Sequence, residues 1–177
     1  MGVGLHNPQD LVGLACPPGL VQAEQDVFWM QQALALADYA QQQGEVPVGA
    51  LAVLDQQCVG LGFNQSILTH DPTAHAEIVA LRHAGITFQN YRLPGVTFYV
   101  TLEPCAMCAT ALVHARIARL VYGATDPKSG AVGSRINLAA SDFLNHQYQV
   151  VNGVCAEQAS ALLSNFFKQR RALKKLK

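Results

Sequence analysis

Thr73-Ala74-His75-Ala76-Glu77 and, further along, Pro104-Cys105-Ala106-Met107-Cys108 constrain this chain more than any other part of it. An imidazole and two thiolates offer three protein ligands for zinc and leave the fourth tetrahedral position open; a structural zinc site would close it with another Cys or His. Glu77, two residues past the His, has the chemistry of a proton shuttle rather than of a ligand. Each part has a plainer reading. A lone His is commonly a packed or surface residue, and a lone C-x-x-C can be a redox pair or half of a zinc knuckle. The combination, with a Glu at +2 and a Pro before the first Cys, points to a hydrolytic zinc site.

Composition sets the frame for that site. A chain of 177 residues, half of them hydrophobic, is long enough for one domain with a real core. No apolar run approaches the ~20 residues that cross a bilayer. The five cysteines, at positions 16, 58, 105, 108 and 155, are odd in number, and two are claimed by the metal. This argues against a disulfide framework and for a reducing compartment. The first twenty residues contain no Lys or Arg and read as neither a secretory signal nor a transit peptide, so the expected location is the cytoplasm. The formal charge of zero is unevenly spread. Six of the twelve basic residues are Lys168, Arg170, Arg171, Lys174, Lys175 and Lys177, with no acid among them. Such a run is a solvated helix end unless a polyanion is the partner.

Residues 1–20 are rich in Gly, Pro and polar turns and read as a loose N-terminal arm, with one zinc domain over 21–177. The spacing of Phe28, Ala33, Leu34, Leu36, Ala37 and Ala40 predicts a helix from Val21 to Gln43, closed by Gly44. Val48–Leu54 and Cys58–Phe63 read as an antiparallel hairpin around Asp55-Gln56-Gln57. After a loop over 64–73, Asp71 or Thr73 is expected to cap a helix with Pro72 in its first turn, packed through Ile78, Val79 and Leu81 as far as Gly85. Val96–Leu102 is the next strand, and a helix from Cys105 to Ala115 puts both thiols on one face. Arg119–Tyr122 and Tyr148–Val151 complete the strands, and Ala156 to about Lys175 is an amphipathic helix. The expected fold class is α/β, a mixed five-stranded sheet covered by helices.

Several longer stretches resemble a known family. They are Glu45-Val46-Pro47-Val48-Gly49-Ala50, His70 through Glu77, Gln89-Asn90-Tyr91-Arg92-Leu93, Tyr99 through Cys105, and Phe166-Phe167 followed by Arg170-Arg171. With them, the chain from Trp29 to Arg171 is similar to the bacterial tRNA adenosine deaminases of the cytidine deaminase superfamily. The resemblance implies the three-layer α/β/α cytidine-deaminase-like fold and one zinc per subunit on His75, Cys105 and Cys108. It implies Glu77 as proton shuttle, and hydrolytic deamination of the wobble adenosine of a tRNA anticodon stem-loop to inosine. Such a base has to be splayed from its stack. By the same resemblance Asn64, Val46, Pro47, Ala76 and Glu103 contact the target nucleoside. His70, Asp126, Lys128, Phe167, Arg170 and Arg171 lie toward the RNA, and the protein is a homodimer. The arm before Val21 is longer than usual, and Gln65–Thr69 is less basic. The motif alone also fits a free-base deaminase acting on guanine or cytosine, or a non-catalytic zinc-binding subunit, although Glu77 speaks against the latter.

Overall fold

The computed structural model describes residues 7–175; the first six residues of the expected arm, and Lys177 of the basic run, lie outside them. The first long element is helix α1 (Gln22–Gln42). It is followed by strands β1 (Gly49–Leu54) and β2 (Gln57–Phe63). Then come the short helix α2 (Ser66–Thr69), helix α3 (Ala76–Phe88) and strand β3 (Thr97–Leu102). Helix α4 (Ala106–His114), strands β4 (Arg119–Ala124) and β5 (Gln149–Val151) and helix α5 (Ala156–Lys175) complete the order. The five strands lie in the order β2-β1-β3-β4-β5. β1 is antiparallel to both its neighbours, while β3, β4 and β5 run parallel.

Alternation along the strands builds two cores. Ala50, Ala52, Phe98, Val100, Leu120 and Tyr122 face α3 and α4. Leu51, Val53, Tyr99 and Val121 face α1, joined by Ala159 of α5. A sheet covered on both faces calls for largely apolar side chains on both; Thr101, buried in β3, is an exception whose Oγ1 accepts from Gly49 N at 3.2 Å. The expected α/β/α sandwich with a mixed five-stranded sheet is the fold observed.

Four local expectations are corrected. The hairpin turn is only Asp55-Gln56, both at positive φ (49° and 61°), because a two-residue turn of that hand matches the strand twist; Gln57 belongs to β2. The loop over 64–73 contains α2. The helix of the first ligand begins at Ala76, with His75 at its N-cap. Asp71 instead accepts from Thr73 N and Oγ1, at 2.8 and 2.7 Å, and Pro72 stays outside the helix. α3 also runs past Gly85, and its fully buried apolar residues are Ala76, Ala80 and Ala84, with the expected Leu81 packed half-buried against the same core. A Cβ on Gly62 would lie 2.4 Å from Ala76 O, so this helix rides directly on the backbone of β2 and only small side chains fit between.

The expected loose arm is docked over 7–20. Cys16 N donates to Gln56 O and Cys58 N to Leu14 O, both at 2.9 Å, and Gly13 N donates to Cys58 O at 3.0 Å. An edge strand offers unpaired backbone groups, and this segment takes those of β2 at the hairpin end. Leu11 and Cys16 are buried there.

Candidate active site

Both halves of the motif stand where a helix starts. His75 has extended backbone (φ −70°, ψ 154°) at the N-cap of α3, and Cys105 (φ −72°, ψ 173°) stands at the N-cap of α4. Cys108 lies one turn into α4. The Ala76 N–H is satisfied by the Asn64 side chain, whose Oδ1 accepts it at 2.9 Å. Asn64 therefore links the end of β2 to the start of α3. On the other side, β3 runs into Glu103-Pro104, which breaks the strand and aims Cys105 inward.

The ligand atoms of His75, Cys105 and Cys108 all lie within 4.8 Å of one another. His75 Nδ1 is 3.7 Å from Cys105 Sγ and 3.6 Å from Cys108 Sγ. Tetrahedral zinc with ordinary bond lengths requires N···S edges of roughly 3.6 Å. Both N···S separations match that value.

Electrostatics agree with the geometry. The Cys108 thiol donates to Cys105, and His75 adds a hydrogen bond and its charge; Cys105 is drawn down to about 4 against the opposing effect of burial. Cys108 is pushed up, first by its interaction with Cys105, which favours the protonated thiol, and then by burial. A metal binds thiolates, so its binding releases thiol protons from this pair. His75 is raised, chiefly by its contact with Cys105. Glu77 is only 4 % exposed, and burial lifts its carboxyl to about 7, with Cys105 adding to the rise and His75 opposing it. A carboxyl poised near neutrality both accepts and returns a proton.

The other expected site residues fall into three groups. Pro47 and Ala76 are buried and Val46 is half-buried. Val46, Asp126, Lys128 and Phe167 line one pocket of about 440 Å³ between α5 and the loop after β4. His70 is exposed at the C-cap of α2 (φ 54°). Arg170 reaches Gly44 O at 3.4 Å and lies over the Phe166 ring, 5.5 Å from its centre; Arg171 is exposed.

Glu103, expected against the substrate, is directed to the protein instead. It is 2 % exposed. Its Oε2 accepts from Asp126 N at 2.9 Å, and its Oε1 from Ser134 N at 2.9 Å and Val132 N at 3.3 Å, with the Ser134 hydroxyl as a further donor. A Cβ on Gly130 would stand 2.3 Å from its Cδ. Glu103 therefore organises the loop that carries Asp126 and Lys128. Nothing in its local sequence distinguishes a carboxylate spent on backbone from one spent on a ligand. The sequence reading also passed over the buried group formed by Asp26, Arg119 and Tyr99. Arg119 grips Asp26 with two bonds of 2.7 and 2.6 Å, and Tyr99 Oη donates to it at 2.9 Å.

A cytidine-deaminase-like sandwich, with a His/Cys/Cys set on two helix starts and a buried Glu beside it, defines a hydrolytic deaminase of nucleobases. The MafB19-like deaminase family matches residues 24–171. The tRNA-specific adenosine deaminase of Haemophilus influenzae is 52 % identical over 88 % of this chain and 91 % of its own length. That of Bacillus subtilis is 40 % identical over 85 % and 94 %. A solved structure from a study of A-to-I editing by tRNA:A34 deaminases superposes with a TM-score of 0.75 at 42 % identity, over 77 % of this chain and 99 % of that one. The chain belongs to the tRNA-specific adenosine deaminase family.

Proposed function

We propose that this protein hydrolyses the 6-amino group of the wobble adenosine in a tRNA anticodon, giving inosine and ammonia. The observation that carries this reading is the convergence of His75, Cys105 and Cys108 within 4.8 Å, with buried Glu77 beside them. Zinc held by these three side chains supplies Lewis acidity, which makes water a usable nucleophile near neutral pH. Glu77 takes a proton from water as its oxygen adds to C6, and delivers one to the amino nitrogen as the C6–N bond breaks. Water enters and ammonia leaves, so the reaction balances.

The target base sits between Val46 and Pro47 on one side and the start of α3 on the other. Asn64 has its Oδ1 committed to Ala76 N, which leaves its Nδ2 to donate to the nucleoside. The pocket shared by Val46, Asp126, Lys128 and Phe167 extends the site toward the flanking RNA, and the cations of α5 meet phosphates.

The protein works as a homodimer. A cleft of about 790 Å³ between α3 and α4, lined by Leu81, Ile86, Tyr91, Ala111 and Ala115, supports this reading. Ile86 is 77 % and Tyr91 69 % exposed in the single chain, and a second copy covers such a face. Residues 21–177 form the deaminase domain and residues 1–20 an extension of it. No helix among the described residues is long and apolar enough to cross a membrane, all five cysteines are free, and the enzyme acts in the reducing cytoplasm.

The test is incubation of zinc-loaded protein with an anticodon stem-loop carrying a wobble adenosine. Conversion of A to inosine is read by sequencing, and guanine and cytosine run alongside as free bases. Conversion confined to the wobble position is the expected result. An inert stem-loop, with ammonia released from either free base, overturns it in favour of a free-base deaminase.

A further inference from the structure

Glu45 is a buried acid with no part in the metal set. It is 1 % exposed, and neither ion pair among the described residues includes it. Burying a carboxylate without a cation is costly unless hydrogen bonds satisfy it. Its Oε1 accepts from the Leu68 N–H at 2.7 Å.

The place of that bond explains its use. Beyond the β1–β2 hairpin the backbone ladder continues for one more step, Asn64 N to Val48 O at 3.1 Å. It stops there because the reciprocal donor, the Val48 N–H, turns back to Val46 O at 2.8 Å. Past the proline, the Glu45 side chain takes over as acceptor. The two bonds bracket Val46 and Pro47 and hold segment 45–48 against segment 64–68. Leu68 N–H is also one of the donors in the first turn of α2, whose N-cap Gln65 makes no side-chain capping bond. Glu45 itself is tied to the end of α1 through Glu45 N to Ala40 O at 3.0 Å. What it holds is a short lip between Asn64 and His70, with Ile67 51 % and Leu68 58 % exposed.

We propose that Glu45 is a positioning residue: its carboxylate latches the α2 lip to the pocket wall at Val46–Pro47 and so sets how tightly the RNA loop seats. It takes no part in the chemistry. This rests on the tRNA reading of the site given above.

Kinetics on the stem-loop, with metal content and hydrogen exchange measured on the same variants, test it. Loss of one charge-assisted bond predicts that Glu45→Ala raises KM about tenfold, with kcat within about twofold of the parent and zinc retained. Glu45→Gln keeps an amide oxygen for the same bond, and KM returns to within about threefold of the parent. Exchange at the Leu68 amide should quicken about tenfold in Glu45→Ala and stay near parental in Glu45→Gln. A purely structural role would lower melting temperature without splitting KM from kcat. The proposal is overturned by an unchanged KM in Glu45→Ala, by a fall in kcat in place of the rise in KM, or by a Gln variant as impaired as the Ala one. If the parent leaves the stem-loop unconverted, the substrate reading fails and the seating role with it; Leu68 exchange then still decides whether the latch itself exists.

Discussion

Glu77 combines two properties that rarely coincide in a carboxylate: it is nearly inaccessible, and it lies beside residues that concentrate positive charge once metal is bound. Burial raises its proton affinity toward neutrality, and proximity gives the proton somewhere to go. Replacing it with Ala should lower turnover on the stem-loop by about 10²–10⁴-fold or more while leaving the metal in place, since it is not a ligand. Metal analysis beside the rate measurement checks both halves, and metal-free protein from that variant would remove Glu77 from the shuttle role. Asp26 is the contrasting case, an acid whose neighbours serve stability. Burial pushes its carboxyl up, but hydrogen bonds from Arg119, Tyr99 and Gln22 and the guanidinium charge outweigh it, so the value lies below the ordinary range. A lowered native value stabilises the fold above the unfolded value of about 4, and the contribution is lost as pH falls through the native one. Asp26→Asn should cost about 3–5 kcal/mol at neutral pH, because it leaves Arg119 without its partner. The difference from the parent in denaturant melts should shrink below about pH 4.

At the scale of elements, the site exists because two helices start close to the same strand ends. α3 reaches its place only because Gly62 lets its backbone ride on β2; a Cβ there would meet Ala76 O at 2.4 Å and Ala80 N at 2.5 Å. Both are backbone atoms that cannot swing aside. Gly62→Ala should therefore lower stability by about 1–3 kcal/mol and shift His75 with its helix. Weaker zinc retention in a chelator titration is the expected readout, and unchanged retention would show that the helix adjusts without moving its ligand. Much of this level was legible in the sequence, since strand and helix extents follow from apolar periodicity. The start of α3 was not. Asp71 and Thr73 are good capping residues by type, yet they bond to each other, and the orphan N–H at Ala76 is met by Asn64 from twelve positions earlier. A cap supplied from another element has no local signature.

At the scale of the whole molecule, charge and apolar surface divide the work. The exposed cations of α5 should make RNA binding steeply salt-dependent, with the Arg170→Ala/Arg171→Ala pair reducing the slope of log K against log salt by about 1–2. An unchanged slope would return that helix end to a solvated role. The cleft at Ile86 and Tyr91 should close against a second copy, so Ile86→Glu is expected to shift sedimentation from dimer to monomer; a parent that already sediments as a monomer rejects the homodimer. The sequence by itself determined the chemistry and the layers. The roles proposed for His75, Glu77, Cys105 and Cys108 rest on residue type and spacing, and short continuous apolar runs point to a sheet covered on both faces. Only the tertiary structure decided what the remaining carboxylates do. Glu45 and Glu103 are chemically like Glu77, but whether a carboxylate serves a proton, a lip or a loop depends on which distant N–H groups the fold brings within 3 Å of it, and no local pattern encodes those partners.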